Sequence, residues 1–289
     1  MMKRLLLAVA ILCTSFASAQ ERLSDLIYHK QAGVAYTLDV FKPAKPNGSA
    51  VIWIVSGGWV SAHDQINPGL GQAFNEHGIT LIQAVHGAQP KYTVPEILVQ
   101  LRQAVRYVRA NAAKFGIDPN RIGVAGASAG GHLSLMLAGT PAAAEPTSTN
   151  PINKVGSEVQ AVVAYFPPTD FLNWGKEGVA ASSNPLLSVF MPALGVTPTT
   201  PKDKLEQIGR DLSPITYVKA GFPPSFLIHG DKDALVPVQQ SQRLDAAFAK
   251  AGVTHDLMVI AGSGHDGTVM APSAARVFEW FNKYLAKKP

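Results

Sequence analysis

The stretch Arg121–Gly131, RIGVAGASAGG, constrains the fold of this chain more than any other segment. It sets an apolar run, a serine between glycines and a run of helix formers in an order that suits a strand turning sharply into a helix. Ile122, Val124 and Ala125 supply the buried-strand run, and His132–Ala138 (HLSLMLA) supplies strong helix formers. Gly126, Ser128 and Gly130 fit the pattern G-x-S-x-G, whose small neighbours allow a tight turn and lift the serine hydroxyl clear of the backbone. The pattern alone is weak, because with Gly and Ser each near ~7% of residues a chain of this length meets it by chance about once in ten sequences. The surrounding order of elements gives it weight.

That order is one of alternation. Ala35–Phe41 reads as an edge strand, Ala50–Val55 (AVIWIV) and Ile79–Val85 as buried strands, and Pro95–Phe115 has helical period through Leu98, Leu101, Val105 and Val108. On the polar side of that helix, Arg102, Arg106 and Arg109 read as a solvated face. Val159–Phe166, Ser225–His229 and His255–Ile260 continue the strands, with helices over Val238–Lys250 and Ala271–Leu285. Such alternation predicts an α/β fold, a mostly parallel central sheet with helices on both faces, and in sheets of that type chemistry sits at the carboxyl ends of strands. Ser128 follows such an end.

Two segments break the rhythm. Gly139–Ser157 is rich in Ala, Pro, Thr and Asn without periodicity and reads as a mobile surface loop. Pro167–Pro224 is longer than ordinary connections and carries Phe171, Trp174, Leu186, Leu187, Phe190 and Met191, a composition that suggests a cap-like insertion over 167–224. Packing of those apolar residues against the body explains them almost as well as a substrate-lining role.

Residues 1–19 read as a secretory signal, with Lys3 and Arg4 as charged region, Leu5–Leu12 as apolar stretch and Ala17-Ser18-Ala19 as cleavage site, so the chain is expected to be exported, to the periplasm or outside the cell, with residues 20–289 as one catalytic domain. The apolar stretch is well short of the ~20 residues that span a bilayer, which argues against stable membrane insertion. The only cysteine, Cys13, lies inside the signal, so a mature chain has no disulfide, thiol nucleophile or thiolate metal site. Without Lys3 and Arg4 the chain carries 23 basic and 20 acidic residues, a balance too mild, and lacking any long basic run, for nucleic acid binding.

A serine hydroxyl needs a base within hydrogen-bond reach and a group that orients the base. His229-Gly230-Asp231-Lys232-Asp233 follows one apolar strand, and Gly264-His265-Asp266-Gly267 follows the next. The order Ser128, Asp233, His265 is that of this fold class. Asp233 is preferred to Asp231, which reads as a turn stabiliser, because it lies deeper in its loop. Asp266 reads as a loop-stabilising acid. His265 is preferred among the eight histidines because its loop is glycine-flanked and lies between the last strand and the last helix. Acyl transfer also needs oxyanion donors, which Gly57 and Gly58 after the strand Ala50–Val55, together with Ala129 after the serine, are placed to supply through backbone N–H groups. A plain glycine turn is the alternative reading of Gly57-Gly58.

At this point the chain resembles the alpha/beta-hydrolase superfamily, and within it esterases related to hormone-sensitive lipase and bacterial feruloyl-esterase-like proteins. VSGGW at 55–59, DPNRIGVAGASAGGH at 118–132, HGDKDALVP at 229–237 and GSGHDG at 262–267 carry the resemblance. It implies a serine esterase acting on a small-molecule ester through an acyl-enzyme, with no cofactor or metal. Two positions depart from those esterases: Val55-Ser56 replaces a His-Gly pair, and His86-Gly87 replaces a Tyr-Arg pair common after the next strand. A prolyl-oligopeptidase-like peptidase shares the triad order but uses a propeller-sized N-terminal domain that this chain does not show, and a non-catalytic binding protein on the same fold is the remaining alternative.

Overall fold

A computed structural model describes residues 21–287. The expected signal at 1–19 lies outside these residues. In chain order the elements are β1 (Glu21–Gln31), β2 (Val34–Lys42), β3 (Ala50–Ile54), α1 (Pro68–Glu76), β4 (Thr80–Ala84), α2 (Val94–Ala110), α3 (Ala112–Phe115), β5 (Ile122–Ala127) and α4 (Ala129–Gly139). They continue with β6 (Ala161–Tyr165), α5 (Lys202–Asp211), β7 (Ser225–Gly230), α6 (Gln239–Ala251), β8 (His255–Ile260) and α7 (Met270–Tyr284). The eight strands form one sheet in the order β1-β2-β4-β3-β5-β6-β7-β8. β2 runs antiparallel to β1 and β4, and every pairing from β4 to β8 is parallel. This is the alpha/beta-hydrolase fold.

The sheet separates two apolar clusters because side chains alternate along each strand. Ile52 and Ile54 of β3, with Ile122 and Val124 of β5, face the cluster built with α2, α4 and α6. Val51 and Ala125 face the opposite cluster, where Phe74 of α1 and Val277 and Phe281 of α7 pack. α4 is buried from Ala129 to Ala138 because it lies between the sheet and α2. A helix buried all round fixes whatever precedes it, and Ser128 is that residue.

Four expectations are corrected. The edge strand is β1, outside β2; its long, mostly exposed run is broken at Asp25, in left-handed backbone at φ 57°, and by register shifts. The helix expected over Pro95–Phe115 divides at Asn111 into α2 and α3. The arginine face is not solvated: Arg106 is 3% exposed and donates to Ala143 O and Glu145, Arg102 to Thr140 O at 2.9 Å, and Arg109 to the carbonyls of Pro119, Gly156 and Glu158. These bonds, with Gln103 to Asn153 at 3.0 Å, tie the 139–157 segment to α2 rather than leaving it loose.

Among the described residues no helix is long and apolar enough to cross a membrane. The 167–224 segment contains α5 and short 3₁₀ turns, the longest at Pro185–Leu194. Leu187 is buried while Leu186 faces solvent.

Candidate active site

Ser128 stands at the carboxyl end of β5 with φ 53° and ψ −119°, a left-handed backbone that a non-glycine residue adopts only under constraint. Its N–H donates to Tyr165 O at 2.9 Å and its carbonyl accepts from His132 N at 2.9 Å, which hold the turn from both sides. The flanking glycines are required by contact. A Cβ on Gly126 would stand 2.4 Å from the Gly130 backbone, and one on Gly130 would stand 2.7 Å from Ile54 O.

The two downstream loops meet this turn. The Ser128 hydroxyl lies 2.8 Å from His265 Nε2, and His265 Nδ1 lies 2.6 Å from Asp233 Oδ2. With the imidazole proton on Nδ1, serine donates to Nε2 and Nδ1–H donates to the carboxylate. Asp233 Oδ1 accepts from the N–H groups of Leu235 and Val236 at 3.0 and 2.8 Å. Burial disfavours the charge on Asp233, but hydrogen bonds from His229, His265 and Val236 outweigh it and hold the carboxyl well below the usual carboxylate range. Asp231 accepts instead from Gly262 N at 2.7 Å, and Asp266 caps the turn at Thr268, so both stabilise loops. A Cβ on Gly230 would strike Ser263 O at 2.2 Å, which is why the two loops can lie side by side.

The structure divides the three expected oxyanion donors. Gly57 N–H is already bound to Val60 O at 3.0 Å, closing a tight turn, so Gly57 is corrected as a donor. Gly58 N–H and Ala129 N–H have no acceptor among the described residues, and neither has Trp59 N–H, which the sequence reading did not single out. Gly58 and Trp59 both have positive φ, 57° and 59°. Gln89 supports the loop from outside: its N–H donates to Trp59 O at 3.0 Å, and its side chain donates to Gly58 O at 3.1 Å and Val189 O at 3.2 Å.

A cavity of about 30 Å³ opens at Ser128. Trp59 and Leu235 line it from the body, and Phe171, Trp174, Leu187 and Phe190 line it from the 167–224 segment. Apolar composition alone does not distinguish a lining residue from a packing one in that segment, so the sequence marks none of them as site residues.

The family model described as BD-FAE matches residues 38–248. The chain belongs to the BD-FAE family. It is 30% identical over 224 residues to the probable carboxylic ester hydrolase LipM of Mycobacterium tuberculosis, covering 75% of this chain and 49% of LipM. It is 29% identical over 263 residues to the esterase LipC of the same organism, covering 86% of this chain and 62% of LipC. The chain thus spans between about half and three-fifths of these curated relatives. Among solved structures, a truncated carbohydrate esterase from gut microbiota superposes with a TM-score of 0.76 at 26% identity, covering 92% of this chain and 97% of that one.

The departures noted at Val55-Ser56 and His86-Gly87 have structural consequences in this BD-FAE member. The register Ile54 to Ala84 places Ser56 and His86 each two residues beyond the ends of the neighbouring strands β3 and β4. Ser61 Oγ links the two ends by donating to Val55 O and accepting from His86 N. His86 is buried, which lowers its pKa to about 4 against the opposing bond to Gly87 O. A side chain on Gly87 would meet the Tyr92 ring at 2.4 Å, so no bulky residue fits there with the ring in place.

Outside this site, carboxylate oxygens of Asp25 and Asp39 and Nε2 of His63 lie within 4.8 Å of one another. Arg22 occupies the Asp39 carboxylate at 2.6–2.7 Å, so this group is an ion-pair network.

Proposed function

We propose that this chain is a serine carboxylic ester hydrolase that works through an acyl-enzyme and prefers short acyl groups. The observation that carries the reading is the line from Ser128 Oγ through His265 to Asp233, at 2.8 and 2.6 Å, beside backbone N–H groups without acceptors. Similarity to an esterase and a carboxylic ester hydrolase supports the same reaction class.

In this reading Ser128 Oγ attacks the ester carbonyl while His265 Nε2 takes the hydroxyl proton, and Asp233 stabilises the imidazolium that forms. The carbonyl oxygen becomes an anion held by Gly58 and Ala129 N–H, with Trp59 N–H next in the loop. Collapse breaks the ester C–O bond, and His265 returns its proton to the departing alcohol. Water then repeats the sequence, releasing the acid and restoring Ser128. The N-terminus of α4 adds a favourable dipole at the Ala129 donor.

A cavity of about 30 Å³ supports the short-acyl preference. It is two to three times the ~10–15 Å³ that one water needs, room for a methyl or ethyl group beyond the carbonyl. The signal-like segment at 1–19 supports export, and N-terminal sequencing of the secreted protein should begin at Gln20.

The test is hydrolysis of p-nitrophenyl acetate, butyrate and octanoate alongside a matched anilide. Activity on the acetate that Ser128→Ala abolishes, with labelling of Ser128 by a fluorophosphonate, supports the reading. No ester turnover and no labelling would overturn it, and faster cleavage of the anilide would make the chain a peptidase.

A further inference from the structure

Behind the triad acid lies a second imidazole that the reaction does not touch. His229, near the end of β7, is fully buried, and both ring nitrogens are engaged. Nδ1 lies 2.7 Å from Ser241 Oγ on α6, and Nε2 lies 2.8 Å from Val236 O and 3.3 Å from Asp233 Oδ2. A carbonyl only accepts, so Nε2 carries a proton. Ser241 is fully buried and shows no other side-chain partner among the described residues, so its hydroxyl donates to Nδ1 and fixes the tautomer.

The Nε2–H therefore sits between two acceptors, aimed chiefly at the nearer carbonyl and lying against the carboxylate. Val236, whose carbonyl it binds, donates its N–H from the preceding peptide unit to Asp233 Oδ1 at 2.8 Å. One imidazole thus clasps the turn Asp233–Val236 at both ends. It holds the carbonyl of the residue whose N–H serves one carboxylate oxygen and lies beside the other, the oxygen that receives His265. Packing alone would place an apolar side chain here at lower desolvation cost, since a buried imidazole needs every polar atom partnered.

We propose that His229, oriented by Ser241, is a positioning residue of the catalytic triad: it fixes the Asp233 carboxylate towards His265 and draws charge from it. This rests on the reading of Ser128, His265 and Asp233 as a triad. Other titratable or charged groups around the cluster are Asp231 and Lys232 in the same loop, Asp266 after His265, and Arg243 on α6, which is paired with Asp170. None of these is changed in the variants below.

The experiment is the pH profile of kcat/KM on p-nitrophenyl acetate for wild type, His229→Leu and His229→Gln. Leucine removes the donor, so the carboxylate holds the imidazolium more tightly, and the acid limb moves to higher pH by about half a unit or more. kcat falls about tenfold or more with little change in KM. Glutamine keeps an N–H at similar reach and returns the limb towards wild type. A folded leucine variant whose acid limb coincides with wild type would overturn the proposal, since a purely structural role lowers kcat without moving the limb.

Where the leucine variant does not fold, ¹⁵N spectra of the wild-type protein decide. A proton on Nε2 and none on Nδ1 of His229, with a His265 Nδ1–H resonance that shifts in Ser241→Ala, is the expected result. A protonated Nδ1 or an unmoved resonance overturns the assignment. Wild-type protein that neither hydrolyses the ester nor takes the fluorophosphonate would defeat the triad reading itself. Active wild type with an unmoved limb defeats only the role of His229.

Discussion

The indole N–H of Trp59 donates to Nδ1 of His132 at 3.2 Å, joining the loop after β3 to the first turn of α4. His132 in turn donates Nε2–H to Leu212 O at 2.8 Å. Burial lowers its pKa to about 4, with the Leu212 bond only partly opposing, so the ring stays an acceptor at neutral pH. The donor loop and the nucleophile are therefore held together by one imidazole on the helix that Ser128 begins.

Replacing His132 with leucine leaves the indole N–H and the Leu212 carbonyl without these partners, each a loss of roughly 1–3 kcal/mol. We expect kcat on p-nitrophenyl acetate to fall about tenfold or more, with KM changed less, because a displaced loop weakens binding of the developing oxyanion. Calorimetry should show a lower Tm. Unchanged kcat would mean that the Trp59 loop keeps its place without this bond.

The two glycines of the loop separate in a paired test. Gly57 has open space where a Cβ would stand and its N–H is bound to Val60, so Gly57→Ala should leave kcat within about threefold of wild type. Gly58 has φ 57°, and a Cβ there would lie 2.6 Å from the Phe190 ring. Gly58→Ala should cost about 10²-fold in kcat, the scale of a lost oxyanion donor. Equal effects of the two substitutions would reject this division of roles.

Why the sequence showed Ser128 but not its surroundings follows from the range of the interactions. Gly126 is forced by contact with Gly130 four residues on and Gly130 by Ile54 O of the adjacent strand β3, and because both lie in one turn the requirement leaves a local pattern. Asp233 and His265 could be read because each follows a parallel strand, where topology alone brings loops together. The partners of Arg106, Arg109 and Gln103 are groups 37 to 50 residues away or in another loop, which helical periodicity does not encode. α1 was missed because its buried residues are only Gly71 and Phe74, too few to show a period. Whether the Gly57 N–H is free depends on a turn closing on Val60, a property of backbone angles rather than residue type.

Acid should destabilise the fold before it protonates the triad carboxylate. His86 and His132 are buried with pKa values lowered to about 4, from about 6.5 in an unfolded chain. The unfolded state binds these protons first, so their contribution is complete above about pH 6.5 and is lost as pH falls towards 4, about 3 kcal/mol for each ring. Asp233 acts in the same direction at lower pH: its folded-state pKa is also depressed, so its stabilisation is present above about pH 3.9 and is lost only below that. Tm should therefore fall steadily between pH 7 and 4.5, and less steeply in His86→Leu, which has one ring fewer to protonate. A flat Tm over this range would contradict the two buried neutral rings.

Phe190 lines the cavity at Ser128. Its ring packs against Gly58 and lies edge-on to Trp59 at 6.2 Å, and the carbonyl of the preceding Val189 is held by Gln89, which also holds Gly58. The ring is thus fixed against the donor loop. Truncation to alanine removes the ring that lines the cavity beside Trp59, so longer acyl chains should be better accommodated at Ser128. A methylene in an apolar pocket is worth roughly 1–3 kcal/mol of discrimination, so the ratio of kcat/KM for p-nitrophenyl butyrate over acetate should rise about tenfold. Phe190→Leu keeps most of the apolar contact and should give an intermediate ratio, separating a change of pocket depth from a general loss of packing. If both variants lose activity on all esters in parallel, Phe190 supports the loop and does not measure the acyl chain. If the ratio stays at its wild-type value with activity intact, the acyl group lies on another wall of the site.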